Sequence, residues 1–535
     1  MMMLTKRFNL EFARPADSRA LFLLSLWTVA MLMLLSSDSP LHGDWDRLDS
    51  AIFFMSGKAL MNGLQPYVDF ADSKGPLLWL IYGIGYLLSP RSYVGVFWLS
   101  CVCYAAILYY NYLTARLFLG GRLRPLAVAM VMPFIYFQYW FHDDVRAEDF
   151  CTLPVSVSLY YVMCLLTAGG RQVTGRQAGS DLLPLPNPRT VGLVLGACFS
   201  ALVLIKFSIA LMQAVMIVVV LCYYLFVDYQ APRFLKSLFA GAVLFALPFV
   251  VFLGVRGSVG AFVDEYFFNT LATVTPEGDV SDKYTEELSK ALRSPKRLAL
   301  LLALISGGWL AGRQLTRYRY VPLLLCVVFF LSCTRHYMAY YHSACYVLLL
   351  FMVIHFVAQV PVLKRWHAAA VCACMLGWGY AENVRPVSHL SKLWLPGDHR
   401  HRHEHYQYLS EAIKGDKPKI LYLYGADYGY GLASEALPAG RYWTYQYGST
   451  RKMEADHVSL LTSGRADYVI VSDRARAKRH GFGQKKIREQ GYHIVCSADY
   501  EALSGKRWIG DIYEHNRLNS NKTNDDHETD KTAGQ

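Results

Sequence analysis

Charged residues are scarce in this chain of 535 residues, since Asp, Glu, Lys and Arg together make up only 18% of it. A typical soluble domain carries about 25% charged residues. Hydrophobic residues make up 54% and gather in long runs, which excludes a disordered chain and a fibrous repeat. The mean hydropathy is only +0.22, so a sizeable polar part must dilute these runs. The composition therefore predicts a polytopic membrane protein with a soluble module attached.

Motifs for nucleotides, disulfides and structural zinc are missing as well. Nearly all of the 12 cysteines lie inside apolar runs, so they form neither a disulfide framework nor a zinc-binding spacing. The glycines of YGADYGYG fit neither a dinucleotide fingerprint nor a P-loop, and they indicate a turn. The net charge of +12 does not indicate nucleic acid, because in a membrane protein such an excess usually marks cytoplasmic loops.

Apolar runs of membrane-spanning length recur through the first 381 residues. A span needs about 20 residues. The candidate spans are 20–36, 93–115, 125–140, 150–167, 190–206, 207–227, 235–254, 298–312, 320–334, 343–360 and 366–381. Pro76–Leu88 is also apolar, but it is short and rich in Gly and aromatic residues. We expect an interfacial or re-entrant helix there.

Basic residues in alternate loops indicate the orientation of the spans. They precede the first span and recur at 116–124, 171–189, 233–236, 313–319 and 364–365. The positive-inside rule makes these segments cytoplasmic, so about eleven spans place the N-terminus inside and the C-terminus outside. We therefore predict a multi-pass protein of the cytoplasmic (inner) membrane.

The predicted fold is an α-helical transmembrane domain at 1–381, with outer loops at 36–92 and 255–297, and a small extracytoplasmic α/β domain at 382–518. In the latter, β-branched and aromatic residues predict buried strands at 419–424 and 466–472 and a weaker third at 492–495. Helical pieces are expected near 403–414 and 454–462. The polar segment 519–535 lacks apolar periodicity and is predicted to be disordered.

Carboxylates are rare in this chain, yet they gather in two outer loops. The first loop contains Asp44, Asp46, Asp49, Asp69 and Asp72, together with Lys58 and Lys74. The second, HDDVRAEDF, ends with Glu148 and Asp149 beside a span. Asp49 begins a stretch with amphipathic helical spacing that should lie along the membrane. Solvated loop charge is the alternative for each carboxylate alone, but ionised groups at a lipid boundary are costly and usually functional.

Carboxylates from the two loops could meet above the spans and do acid–base chemistry there. Such a carboxylate can take a proton from an acceptor hydroxyl while a phosphate leaves. A basic group must then steady that phosphate. The candidates are Lys74 and the run Arg335–His336–Tyr337 just outside the ninth span.

These motifs resemble the GT-C superfamily of polyprenyl-phosphate-sugar glycosyltransferases. The nearest branch contains the protein O-mannosyltransferases (glycosyltransferase family 39-like) and the aminoarabinose transferases of lipid A. The stretch DSAIFFMSGKALMNGLQPYVDFADSKGPLLWLIYGIG resembles the first-loop pattern, RAEDFCTLP the second acidic motif, and RHYMAYYHSACYVLL the late His-Tyr element. The resemblance covers roughly residues 20–380.

The resemblance implies roles for individual residues. Asp49 matches the catalytic base, with Asp44 and Asp46 competing for that role, and Glu148 and Asp149 match the second acidic position. Lys74, Arg335, His336 and Tyr337 fall at donor-facing positions, and Asp69 and Asp72 complete the expected substrate-binding set. The family often shows Pro-Pro where this chain has Gly75–Pro76.

Two further signals are open to more than one interpretation. The tract DHRHRHEH at 398–405 is either a solvated linker or a metal site, and His401 and His405 would share one helical face. Lys206 ends an apolar run, and its ammonium either snorkels toward the outer headgroups or faces the donor phosphate.

The predicted function is transfer of a hexosyl or pentosyl unit by an inverting glycosyltransferase on the outer face of the membrane. The partners would be the bilayer, a polyprenyl-phosphate-linked sugar and an envelope glycan, lipid or protein acceptor, without nucleic acid. No cofactor is required, although a divalent metal is compatible with the site. Two alternatives are a flippase or transporter of a lipid-linked precursor and a non-catalytic envelope-assembly protein. Acids in outer loops, rather than at the membrane midplane, favour the enzyme.

Overall fold

The structure is a computed structural model, and it describes only part of the chain. The described residues are 15–36, 39–40, 48–136, 147–174, 187–274, 280–334, 339–360, 366, 369–370, 373–374, 376–377, 410–423, 431, 434–444, 451–471, 474–479, 481–501 and 507–518. The predicted domain boundary at 381–382 and the predicted disordered tail lie outside this set.

The described residues are mostly helical. The helices are α1 Pro15–Leu35, α2 Leu48–Met61, α3 Pro76–Leu88, α4 Val94–Phe118, α5 Leu123–Tyr136, α6 Ala147–Thr174, α7 Pro188–Phe226, α8 Ala231–Val255, α9 Val259–Phe262, α10 Thr270–Val274, α11 Val280–Arg293, α12 Pro295–Gln314, α13 Val321–Cys333, α14 Leu350–Gln359, α15 Arg451–Thr462, α16 Arg474–Arg479 and α17 Gln484–Glu489. A π-helix, Val263–Asn269, joins α9 to α10, and 3-10 segments lie at Thr316–Tyr318 and Ala339–Leu349. The strands are β1 Lys419–Tyr422, β2 Leu437–Pro438, β3 Tyr468–Val471, β4 Tyr492–Glu501 and β5 Arg507–His515.

The chain divides into two compact units. The first comprises Met1–Leu41, Phe97–Val251 and Asp279–Leu390, and the second comprises His42–Val96, Phe252–Gly278 and Ser391–Gln535. The first unit holds most of the long apolar helices. The second combines the first predicted outer loop, part of the second, and the predicted α/β domain.

Five described helices are long and apolar enough to cross a membrane, namely α1, α4, α6, α7 and α8. Shorter apolar helices lie at Pro76–Leu88, Leu123–Tyr136, Val321–Cys333 and Ala344–Gln359. These helices fit a multi-pass membrane protein, while the count of about eleven spans stays a prediction.

Helix α7 is two helices joined at a reversal of the chain. The backbone at Lys206 is extended, with φ −155° and ψ 97°. Phe234 of α8 approaches both Gly192 and Tyr224, which a straight helix would separate by about 48 Å. The second half of α7 must therefore return alongside the first. The reversal at Lys206 divides α7 at the boundary between the predicted spans 190–206 and 207–227. That each half crosses the membrane stays a prediction.

A seam of small residues lets the first half of α7 and α8 approach closely. A Cβ on Gly196 would lie 2.0 Å from the Leu238 carbonyl oxygen, and a Cβ on Gly241 would lie 2.1 Å from the Leu193 carbonyl oxygen. Ser200 donates a hydrogen bond of 2.9 Å to the Ala242 carbonyl. Small residues at such contacts are typical of helix packing in membranes.

Helix α2 is not the amphipathic surface helix that the sequence predicts. Every residue from 51 to 59 is buried, including the polar residues Ser56 and Lys58. Helix α3 packs against α2 so tightly that a Cβ on Gly57 would lie 2.4 Å from the Gly83 nitrogen. The prediction was wrong because tertiary packing covers the polar side of α2 as well as its apolar side.

The second unit contains a five-stranded mixed sheet in the order β2-β1-β3-β5-β4. Strand β1 pairs in parallel with β2 and β3, whereas β5 pairs antiparallel with β3 and β4. The three predicted strands are present as β1, β3 and β4, and the predicted helix at 454–462 lies within α15. A core of aliphatic and aromatic residues, including Leu421, Val469 and Tyr513, packs under α15, α16 and α17.

Candidate functional site

Glu148 and Asp149 lie in the first turn of α6, and both are buried. Negative charge is stabilised at a helix N-terminus, where backbone N–H groups have no partner within the helix. The Tyr104 hydroxyl of α4 donates a hydrogen bond of 2.5 Å to the Asp149 carboxylate. The predicted second acidic position is therefore a built, buried group rather than a solvated loop.

Lys206 supplies the positive charge of this group. Its Nζ forms an ion pair with the Glu148 carboxylate, and the lysine side chain is only 10% exposed. Of the two interpretations of Lys206, the buried ion pair contradicts snorkelling toward headgroups, whereas contact with the donor phosphate stays a prediction. The contact also places the reversal of α7 and the start of α6 at the same end of the first unit. We call Tyr104, Glu148, Asp149 and Lys206 the buried charge group.

Asp49, the predicted base, lies in the first turn of α2 and is half-buried. The helix behind it is fixed by burial on all sides and by the close contact with α3. A carboxylate on a rigid element keeps its geometry better than one on a loop. The local structure thus presents Asp49 at the partly accessible start of an otherwise buried helix.

Lys74 and Asp72 lie in the turn that leads into α3. The Lys74 Nζ is 3.0 Å from the Ser73 hydroxyl, 3.9 Å from Asp72 Oδ2 and 5.4 Å from the centre of the Phe53 ring. Asp72 Oδ2 is buried and has no hydrogen bond among the described residues. Helix α3 begins at Pro76 after Gly75, which fixes the helix start where the family pattern has Pro-Pro. The turn therefore holds a cation beside an unsatisfied acceptor.

Asp69 differs from its neighbours in the first loop. It is exposed, and its carboxylate accepts a hydrogen bond of 2.6 Å from the Gln65 backbone N–H. This is the pattern of a side chain that closes a turn. The structure thus gives Asp69 a local structural role.

Several predicted site residues lie outside the described part of the chain. They are Asp44, Asp46, Arg335, His336, Tyr337 and the tract 398–405. Within the described residues, no group of three or more His, Cys, Asp and Glu side chains could hold a metal ion.

Sequence reasoning assigned no role to Lys58, which is 1% exposed. Its Nζ donates hydrogen bonds to the carbonyl oxygens of Gly431, at 3.2 Å, and Ser434. Burial lowers the pKa of Lys58 to about 8, although Glu435 opposes this shift and Arg91 adds to it. The signal available in the sequence is one lysine inside the otherwise apolar stretch IFFMSGKALM.

Glu265 is a second buried charge that sequence reasoning missed. It lies in the π-helix and pairs with Arg441 at 3.0 Å. Its other oxygen accepts hydrogen bonds from Tyr442, at 2.5 Å, and from Asn269, at 2.9 Å. Burial, together with the bond to Glu265, raises the pKa of the Tyr442 hydroxyl. These contacts tie the predicted second outer loop to the edge of the sheet within one unit.

Comparison with known proteins identifies the fold. No family model matches the chain, and no curated protein sequence matches it. The crystal structure of ArnT from Cupriavidus metallidurans bound to undecaprenyl phosphate matches 93% of this chain and 98% of its own, with a TM-score of 0.52 and 12% identity. The apo structure of the same protein matches 94% and 98%, with a TM-score of 0.53 and 11% identity.

The match covers both compact units, and ArnT is a GT-C glycosyltransferase. The resemblance seen in the sequence motifs is therefore confirmed at the level of the fold. The chain shares the fold of ArnT, and its apolar helices support a multi-pass membrane protein.

Proposed function

We propose that this protein transfers a sugar from a polyprenyl-phosphate donor to a cell-envelope acceptor on the outer face of the cytoplasmic membrane. The observation that carries the proposal is the shared fold with ArnT over 93% of the chain, because that ArnT structure binds undecaprenyl phosphate. The buried charge group supports it, since ionised residues inside a membrane protein are costly and are usually retained for function.

The proposed reaction is a single displacement at the anomeric carbon. The acceptor hydroxyl oxygen forms the new glycosidic bond, while the bond from the anomeric carbon to the donor phosphate oxygen breaks. The hydroxyl proton passes to Asp49, and the polyprenyl phosphate leaves with the bonding electrons. The configuration at the anomeric carbon is inverted. The partial exposure of Asp49 at the start of a rigid helix suits this role of general base.

The donor phosphate needs positive charge, and we assign that role to Lys74 and Arg335. The leaving phosphate gains negative charge in the transition state, so a fixed cation stabilises it. Lys74 lies beside Ser73 and Asp72, and its ammonium is also close to the Phe53 ring. Arg335 offers a planar fork that can bind two phosphate oxygens at once.

We assign the buried charge group to the second acidic position that the motif resemblance implies. Lys206 forms an ion pair with Glu148, and the Tyr104 hydroxyl donates a hydrogen bond to Asp149. Carboxylates fixed in this way are suited to orient an acceptor or hold positive charge. Asp49 remains the residue that takes the proton.

Substitution of the base tests the chemical step. Asp49→Asn keeps the size of the side chain but cannot accept a proton, so transfer should fall by more than about 10²-fold. Asp69→Asn is the matched control, because Asp69 is exposed and closes a turn. Both variants are expressed in a deletion strain, and the envelope glycans are compared by mass spectrometry. Thermal melting of each purified variant checks that it is folded.

The outcomes of this test separate function from residue assignment. Near-normal transfer by Asp49→Asn would move the role of base to Asp44, Asp46 or Glu148. A deletion strain whose envelope glycans and lipids equal those of the parent would contradict sugar transfer itself.

Donor binding is tested separately. Lys74→Ala and Arg335→Ala should each weaken binding of a polyprenyl-phosphate analogue to the purified protein, and Arg335→Lys should also weaken it because an ammonium lacks the planar fork. Arg91→Ala is the control, since Arg91 is an exposed basic residue paired with Glu435. Unchanged affinity in the Lys74 and Arg335 variants would show that these residues do not contact the phosphate.

A further inference from the structure

The far end of the sheet carries an exposed basic surface that the proposed reaction does not use. Helices α16 and α17 are joined by a short turn and cover strands β5 and β4, respectively. Their exposed basic side chains are Lys478, Arg479, Lys485, Lys486 and Arg488. Among the exposed side chains described in these two helices, Glu489 is the acidic one, and it lies 3.9 Å from Lys485. We call these five basic residues the basic surface.

The helices that carry the basic surface are anchored to the sheet by hydrogen bonds. The Arg474 side chain of α16 forms two hydrogen bonds to the buried Asp511 carboxylate of β5, one of them 2.5 Å long from Nε. Ser497 and Gln484 also donate to that carboxylate, at 2.6 and 3.3 Å. Burial opposes ionisation of Asp511, but these hydrogen bonds hold its pKa below the usual range. Arg474 is therefore a structural residue, and the five outer side chains are left to face a partner.

The position of the basic surface in the sheet indicates where its partner lies. Helix α2 packs against β2, at one end of the sheet, while α17 packs against β4 at the other end. Four strand spacings separate β2 from β4, which is roughly 19 Å. That distance is about twice the screening length at physiological ionic strength. A charge near α2 is thus too far away to act on the basic surface.

We infer that the basic surface binds a polyanionic glycan. Its five cations are spread over two helices, so they match a chain with repeated negative charges better than a single phosphate group. Helix α2 carries Asp49, to which the proposed function assigns the transfer of a sugar from a lipid-linked donor. The opposite end of the sheet is remote from that donor, which favours an envelope polymer over lipid headgroups as the ligand. This last step rests on the proposed function, whereas the binding itself is measured without donor or sugar transfer.

The experiment measures binding of labelled dextran sulfate to the full-length protein in phosphatidylcholine nanodiscs. Neutral dextran of the same length is the reference ligand. Lys485→Glu/Arg488→Glu reverses two charges of the basic surface. Lys414→Glu/Arg465→Glu is the matched control, because it reverses one exposed lysine and one exposed arginine before β1 and β3 in the same sheet.

We expect the wild type to bind dextran sulfate in a salt-sensitive manner and to bind neutral dextran much more weakly. The Lys485→Glu/Arg488→Glu variant should lose about tenfold in affinity or more, while the control stays close to the wild type. An equal loss in both variants, or equal binding of the two dextrans, would overturn the inference. The inference would also be overturned if the wild type and this variant bound dextran sulfate equally in nanodiscs of anionic phosphatidylglycerol, because lipid headgroups would then occupy the surface. The Asp49→Asn variant should lose sugar transfer but still bind dextran sulfate. The binding result can therefore be judged separately from the transfer assay.

Discussion

Lys206 forms its ion pair with Glu148 at the residue where the backbone of α7 leaves helical geometry. A lysine at the end of a span would ordinarily extend toward water. Here the charge instead joins the turn between two spans to the first turn of α6. The pair thus fixes the relative position of three helical segments and also supplies charge to the candidate site.

The ion pair predicts strongly coupled effects on stability. Lys206→Met removes the cation and leaves the Glu148 carboxylate buried without this partner, which should cost roughly 3–5 kcal/mol. Glu148→Gln/Lys206→Met should recover most of that loss, since both charges are gone. Thermal melting of purified variants is the measurement. A double variant no more stable than Lys206→Met would show that the two side chains are not energetically coupled.

The glycine seam predicts a contrast between two glycines of α8. Gly241→Ala places a Cβ against the Leu193 backbone and should cost about 1–3 kcal/mol through overpacking. Gly254→Ala meets no atom within 4 Å and should be neutral or slightly stabilising, because alanine favours helix. Melting temperatures of the two variants check this. Equal effects would mean that the close packing between α7 and α8 is not maintained in solution.

Lys58 predicts a dependence of stability on alkaline pH. Its pKa in the folded protein is about 8, below the ordinary value of 10.5. Below about pH 8 the lysine is charged in both states, and the full cost of its burial is present. Between these two values the unfolded state binds more protons, so the free energy of unfolding rises with pH. Melting at pH 7.5 and 9.5 should therefore show a gain in the wild type relative to Lys58→Met. Parallel changes in the two proteins would contradict the lowered pKa.

The orientation of the chain predicts the outcome of a reporter fusion. Because every second loop is basic, the positive-inside rule predicts that the segment after residue 382 lies outside the cytoplasm. A reporter that is active only in the cytoplasm should be silent when fused after Gly397. The same reporter fused after Arg317, in a predicted cytoplasmic loop, is the positive control. Activity after Gly397 would place the proposed site on the wrong face of the membrane.

Hydropathy was sufficient to predict helices on both sides of Lys206, because α7 is strongly apolar. Hydropathy and charge did not predict the burial of α2, because residues far away in the sequence pack over this helix. Lys58 contacts Gly431 and Ser434, more than 370 positions later, and the local hydrophobic periodicity cannot predict such contacts. Strand β5 was missed because Gly510 and Asp511 interrupt its apolar residues, and only the fold brings Arg474 to that aspartate.

The candidate site was also predicted only in part from the sequence. Motif resemblance led to Glu148 and Asp149, since acidic residues beside a span are conspicuous in an apolar chain. It could not show that Tyr104 and Lys206 complete the group, because helix packing selects those partners. Glu265 was missed for the same reason, as its partner Arg441 lies 176 positions away.

The parallel packing of the first half of α7 with α8 constrains how the protein is made. Until α8 has been synthesised, the face that carries Gly192 and Gly196 lacks the partner that it has in the finished protein. Lipid chains must occupy that face until the returning segment and α8 have both entered the bilayer. Apolar surface gives little drive for association in lipid, so the close glycine contacts themselves must displace those chains. A chain truncated after residue 226 and released into the bilayer should therefore expose this seam to lipid, and a photoreactive lipid should label it there but not in the full-length protein.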